Sequence, residues 1–321
     1  MDVFRTLTHS GGESAVALGN FDGLHIGHRK VVSLACGGAA EGLLPTVLTF
    51  AENPRMNLGG GAGGRLLSQE DKIALLKEMG VKQLYILEFH TVRDLTAQEF
   101  VEQVLVGCLK AKKACCGFNF TFGRGGRADS AALSSLCGER GVGVSVAQAV
   151  LVDGTPVSST RIRGLIESGR VDDAARLLGR PFGYRMPVRH GRRLGHSLGT
   201  PTLNQELPEG FVRPKFGVYA SRVSVGEESY LGVTNVGVRP TVGSDRPLSE
   251  TWMPEYRGGE LYGSSVRVEL LRFLRPEQRF STLEELRRAI LRDGARAGEY
   301  YRRPLHTAEL FFDLQISGTV L

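Results

Sequence analysis

No apolar run in this 321-residue chain approaches the ~18 residues that a membrane-spanning helix needs. The start, Met1-Asp2-Val3-Phe4-Arg5, lacks both a basic n-region and an apolar core. The expectation is a cytoplasmic protein with no membrane partner. Cysteine is sparse: Cys36, Cys108, Cys115, Cys116 and Cys137 all lie in the first half. Their odd number and irregular spacing fit neither a disulfide framework nor a zinc site, which leaves reduced core or surface thiols. Lysine is almost missing from the second half, where residues 181–305 hold 20 Lys+Arg, only one of them lysine, against 14 Asp+Glu. That stretch carries the whole net charge of +6, and an arginine-rich surface suits nucleic acid, an anionic membrane or a phosphorylated small molecule. It also lacks the interleaved aromatic stacking motifs of an RNA-binding sheet, which turns the expectation away from nucleic acid.

Hydrophobic residues at 41% and charged residues at 23% suffice for buried cores, and the length suits two domains better than one. Between Ala15 and Val150, short apolar runs alternate with amphipathic stretches, the pattern of βαβ units around a parallel sheet. Strands are predicted at 15–18, 46–50, 83–87, 113–116 and 142–146, with helices at about 28–37, 68–79, 96–109 and 130–140. A helical segment from Ser159 to Gly179 follows. Beyond Arg180-Pro181 short strands separated by Gly/Pro turns dominate, with one amphipathic helix at 282–292, which suggests a small antiparallel barrel. The expected fold is therefore α/β plus β: a doubly wound, Rossmann-like domain over 1–180, a barrel domain with a C-terminal helix over 181–305, and a tail, 306–321, with no assigned role.

The string Gly19-Asn20-Phe21-Asp22-Gly23-Leu24-His25-Ile26-Gly27-His28 falls between the first predicted strand and the first helix. In a doubly wound sheet that is the carboxyl edge, where ligands bind and where the following helix turns backbone N–H groups toward an anion. Two histidines three apart can converge on one phosphate, and Gly27 lets the backbone come close. Nucleotidyl transfer on ATP fits this pattern, because imidazole N–H donors stabilise charge building on the α-phosphate. The bland alternative is a pair of surface histidines. A second segment, Val157-Ser158-Ser159-Thr160-Arg161-Ile162-Arg163, opens a helix: its hydroxyls can cap the helix and hold phosphate oxygens, and Arg163 can neutralise a leaving pyrophosphate.

In the second half, residues 190–204 join a glycine-rich turn, with Gly195, Ser197 and Gly199, to a polar strand start holding Thr202 and Asn204. Two apart on a strand, these side chains share a face, and their oxygens suit a hard cation such as Mg2+ bridging nucleotide phosphates. The segment is not a Walker A motif, having neither its lysine nor its helix. Taken alone, Pro201-Thr202-Leu203-Asn204 is equally a turn entering a strand.

Over about residues 10–305 the chain resembles the prokaryotic bifunctional riboflavin kinase/FMN adenylyltransferase family, through GNFDGLHIGH, LTFAENPR, GFNFTFGRGG, VSSTRIR, PTLN, FGVYASRV, GVTNVGVRPTV and ELYG. The resemblance implies a two-step enzyme that phosphorylates riboflavin to FMN and adenylates FMN to FAD, using ATP and Mg2+. It implies that Gly19, Phe21, Asp22, Gly23, His25, Gly27, His28, Ser159, Thr160 and Arg163 serve ATP in the first domain. Phe118, Asn119, Phe120 and Phe122 would line a flavin and nucleotide pocket, together with Asn53, where many relatives carry histidine. In the second domain it implies a general base at Glu250, and nucleotide and metal sites built on Gly195, Ser197, Gly199, Thr202 and Asn204. Glu255-Tyr256 departs from a common aspartate-phenylalanine pair, and Arg239 is placed either to brace a loop or to meet nucleotide. Two alternatives stay open on the residues alone: that one module is active while the other serves binding, or that the chain is a flavin-binding regulatory or RNA-binding protein.

Overall fold

A computed structural model describes residues 1–52, 63–190, 202–238 and 247–302, in two units, Met1–Ser159 and Thr160–Leu321. The first holds six strands: β1 (Asp2–Phe4), β2 (Ser14–Leu18), β3 (Leu44–Phe50), β4 (Gln83–Leu87), β5 (Ala111–Gly117) and β6 (Gly143–Ala147). All pair in parallel, in the order β1-β4-β3-β2-β5-β6. Strands of such a sheet are buried on both faces, and here successive residues feed two cores. Ala15, Ala17, Val47, Leu84 and Ile86 pack with α1 (Ile26–Gly37) and α2 (Gln69–Glu78). Val16, Leu18, Leu48, Tyr85 and Leu87 pack on the other face with Phe100–Cys108, wound as a π-helix (α3), and with α4 (Ser130–Gly138). The predicted strands and helices of this half are therefore present in a doubly wound sheet. The three-residue β1 and the hairpin β7 (Leu151–Val152) and β8 (Thr155–Pro156) are too short to show in a periodicity. All five cysteines are free, and burial pushes Cys116 and Cys137 up to about 11 and Cys115 up to about 12, which makes these three inert thiols.

The order of the sheet fixes where a ligand can enter. From β2 the chain continues through α1 to β3 on one side, and from β5 through α4 to β6 on the other. The crevice at the carboxyl ends of β2 and β5 is thus the topological switch point, the usual binding place in an open α/β sheet.

Helix α5 (Ser159–Glu167) begins at the last residue of the first unit and continues into the second, where α6 (Val171–Leu178) packs against β9 and β14. The segment 160–180, expected in the first domain, thus belongs to the second unit by its packing. There β9 (Phe182–Pro187), β10 (Thr202–Glu206), β11 (Gly217–Val225), β12 (Glu228–Val238), β13 (Pro247–Trp252) and β14 (Ser265–Arg275) form an antiparallel sheet in the order β10-β13-β12-β11-β14-β9. It curls until its end strands meet: the Arg189 N–H donates to the Asn204 carbonyl at 2.7 Å, and Gln205 Nε2 donates to the carbonyls of Met186 and Val266. The small barrel expected from the turn density is present. Several of its buried hydroxyls bond to one another, Tyr184 donating to Ser249 at 2.6 Å and Thr234 lying between Ser221 and Thr251.

Helix α7 (Leu283–Tyr301) covers Val218, Leu231, Val233 and Leu271. It runs nine residues past the predicted end at Arg292, through Gly294, which on sequence looks like a stop. The glycine is there for space, since a Cβ would come within 2.8 Å of the Trp252 ring. The next turn is held by buried Asp293, which accepts from Arg275 Nη2 at 2.8 Å.

Candidate active sites

In the first unit, the loop after β2 is conformationally unusual. Gly23 is left-handed, and so are Phe21 (φ 51°) and Leu24 (φ 40°), both fully buried. A left-handed side-chain-bearing residue costs on the order of 1 kcal/mol and persists only where its surroundings hold it. Several bonds do so. The Asn20 carbonyl accepts from Thr49 Oγ1 at 2.9 Å and from Lys72 Nζ at 3.0 Å. Asp22 Oδ1 accepts from the Leu66 N–H at 3.0 Å, and its carbonyl accepts from Ser159 Oγ at 2.9 Å. The Phe21 ring lies beneath Gly19, where a Cβ would come within 3.0 Å of Cζ.

This loop delivers His25 to the N-cap of α1, and the two histidines come together. Their rings stack at 3.5 Å between centroids and 15° between planes, with the Phe21 ring edge-on to His28. His25 Nδ1 accepts from the His28 N–H at 3.2 Å, so the neutral form of the His25 ring carries its proton on Nε2. Gly27 packs closely on this ring, since a Cβ there would sit 3.3 Å from His25 Nδ1 and Cε1. The cluster lies at the positive end of α1, a place suited to an anion.

At the carboxyl end of β5, the other wall of the crevice, Phe118 is 48% exposed and Asn119 is exposed as well. Phe120 and Phe122 stack on each other, and Phe122 is buried against Phe100 in the core. Of the expected pocket residues after this strand, Phe118 and Asn119 are exposed, Phe120 is half-buried and Phe122 is buried. Thr160 and Arg163 follow Ser159 on α5, the first exposed and the second buried. Asn53 lies outside the described residues.

Sequence reasoning passed over Lys72, which is 8% exposed and lines an open cleft with Asn20, Asp22, Glu52 and Arg65. Burial drives its ammonium down to about 8, against the opposing pull of Asp22. The available signal was a lysine four residues before Leu76, on the apolar face of α2.

In the second unit, register decides the site. Glu250 on β13 stands directly opposite Asn204 on β10 and Asn235 on β12, and Thr202 is two residues from Asn204. All four therefore project from one face of the sheet, the face whose continuation through Val233 and Trp252 is covered by α7. Asn204 Nδ2 donates to the Thr202 carbonyl at 3.3 Å. Asn235, unremarked in the sequence, donates to Glu277 Oε1 at 3.3 Å, and that carboxylate lies so close to Gly237 that a Cβ there would clash with it. Gly195, Ser197, Gly199 and Arg239 lie outside the described residues, as does the tail 306–321.

A nucleotide-type crevice in one unit and a polar barrel face in the other define a two-module transferase, and comparison with known proteins agrees. Residues 8–161 match the FAD synthetase family, and residues 178–301 match the riboflavin kinase family. The chain is 33% identical over 297 residues to a bifunctional riboflavin kinase/FMN adenylyltransferase of Bacillus subtilis, covering 90% of this chain and 93% of that one. It is 37% identical to the protein of that name from Pseudomonas fluorescens, with 87% and 90% covered, and 35% identical to the one from Escherichia coli K12, with 89% and 92% covered. A crystal structure from Streptococcus pneumoniae described as a macrolide-efflux protein superposes with a TM-score of 0.84 at 28% identity, over 94% of this chain and 99% of that one. Among the described residues no helix is long and apolar enough to cross a membrane. The chain belongs to the bifunctional riboflavin kinase/FMN adenylyltransferase family.

Proposed function

We infer that the histidine loop of the first unit performs the FMN adenylyltransferase step and that the Glu250 face of the second performs the riboflavin kinase step. The enzyme makes FMN from riboflavin and FAD from FMN, with ATP as co-substrate. The observation that carries the assignment is the stacked His25–His28 pair after the carboxyl end of β2, with exposed Phe118 and Asn119 after the end of the neighbouring strand β5. In adenylyl transfer a phosphate oxygen of FMN attacks the α-phosphorus of ATP and pyrophosphate leaves. His25 Nε2–H and the His28 ring donate to the α-phosphate oxygens, whose charge rises in the transition state. Phe118 gives a flat apolar surface for an aromatic ring.

In the kinase step the terminal ribityl hydroxyl attacks the γ-phosphorus, the bond to ADP breaks, and Glu250 takes the hydroxyl proton. Magnesium fits the donor set. Thr202 and Asn204 offer hard oxygens on one face, and among the described residues no cluster of three His, Cys, Asp or Glu forms a cage for a different metal. A bound Mg2+ would neutralise charge on the nucleotide phosphates, while Glu250 orients the reacting hydroxyl. Dependence on ATP supports a cytoplasmic location.

The test is incubation with riboflavin, ATP and Mg2+ followed by chromatographic separation of the flavins. Accumulation of FMN and then FAD is expected. FMN alone would remove the first unit from the adenylyl reaction, and neither product would overturn the whole reading.

A further inference from the structure

Lys72 takes no direct part in either reaction as described above, yet its setting is unusual for a lysine. It sits on the inner face of α2 and is 8% exposed. Its Nζ is spent on a backbone carbonyl, that of Asn20, and not on a carboxylate. That carbonyl already accepts from Thr49 at the end of β3. Burying an ammonium costs several kcal/mol unless something is gained, and one hydrogen bond to a loop carbonyl is a small return in stability. What the bond does hold is the peptide immediately before Phe21, whose left-handed turn sets the ring against which His28 rests edge-on at 5.5 Å. A contiguous path therefore runs from the Lys72 ammonium through the Asn20 carbonyl and the Phe21 ring to His28.

We propose that Lys72 is a positioning residue for adenylyl transfer, its ammonium fixing the strained loop that aims the histidine pair at the α-phosphate. The inference rests on the assignment of that loop to the FMN adenylyltransferase step. The charged groups around Lys72 are Asp22 from the loop after β2, Arg65 from the segment before α2 and Glu52 from the end of β3. Asp22 favours the ammonium; burial first, and then Arg65, oppose it, and the group titrates near 8. The sign follows. Below that pH the loop is clamped by a charged donor, and above it the clamp is a neutral amine with a weaker hydrogen bond. A bound triphosphate adds negative charge and holds the proton on, so the loss should appear in kcat/KM, which reports the free enzyme, at lower pH than in kcat.

The experiment measures FAD formation from FMN and ATP across pH 6.5–9.5 (about the range enclosing the lysine's titration) for wild type, Lys72→Met and Thr49→Val, with riboflavin phosphorylation as the internal control. Wild-type kcat/KM should fall above pH about 8. Lys72→Met should lose roughly tenfold or more in kcat at neutral pH, keep its kinase rate and melting temperature, and show no break in that range. Thr49→Val, which removes the other donor to the same carbonyl, should lower the rate and keep the break. A Lys72→Met enzyme with a wild-type adenylyl rate, or with the same pH break, overturns the proposal, as does a wild-type profile flat through pH 8. If the assignment of the loop itself is mistaken, His28→Ala retains FAD synthesis, a result that separates that failure from this one.

Discussion

Replacing Gly27 with alanine separates the histidine geometry from the stability of the fold. The new methyl would stand 3.3 Å from Nδ1 and Cε1 of His25, inside ordinary van der Waals distance, so the imidazole must retreat by a few tenths of an ångström. Its Nδ1 accepts from the His28 N–H at 3.2 Å, already the long end of the normal range. The retreat therefore breaks the N-cap, a loss of ~1 kcal/mol. Alanine in place of glycine within α1 returns up to ~1 kcal/mol in helix propensity. The two effects nearly cancel, and the melting midpoint should move by no more than about 3 °C. The rate has no such compensation. A displacement of 1 Å at a reacting group costs ~10²-fold, and a fraction of that displacement should slow FAD formation by about tenfold. The assay is pyrophosphate release from FMN and ATP, with conversion of riboflavin to FMN followed in the same preparation. A folded Gly27→Ala enzyme that makes FAD at the normal rate would refute the reasoning. So would a parallel loss of both activities with a large drop in melting temperature, which would make Gly27 a folding residue.

Three further outcomes are expected. His28→Ala should slow FAD formation by ~10²–10³ while riboflavin still becomes FMN; product chromatography with circular dichroism as a fold control checks this. Glu250→Gln keeps the shape of the side chain but cannot take the ribityl proton, so stopped-time FMN assays should show a loss of ~10²–10⁴ in riboflavin phosphorylation, with FAD synthesis from supplied FMN preserved. Thr202→Ala combined with Asn204→Ala should shift the magnesium dependence of the kinase to higher concentration and leave that of the adenylyl step in place; identical titration curves would discard these ligands.

Much of this protein is determined by its sequence alone, because the deciding interactions are local or periodic. Alternation of apolar runs with amphipathic stretches settles β2 through β6 and their helices, since a parallel strand must be apolar on both faces and a covering helix on one. Short strands between Gly/Pro turns settle the barrel. The histidine motif is legible because a loop, a cap and a helix start are contiguous in the chain. Tertiary structure alone decides what comes from residues far apart. The sheet order makes β5 the neighbour of β2, which brings Phe118 and Asn119 to the histidine crevice. Antiparallel register sets Glu250 between Asn204 and Asn235, where a one-residue slip would turn it toward Ser249 and the buried face. Helix α7 runs on through Gly294 because Trp252 needs the space a side chain would fill, and no propensity scale contains that neighbour. Lys72 shows the same limit: as a residue it belongs on a solvated face, and only the packing of α2 on the loop after β2 puts its ammonium on the Asn20 carbonyl.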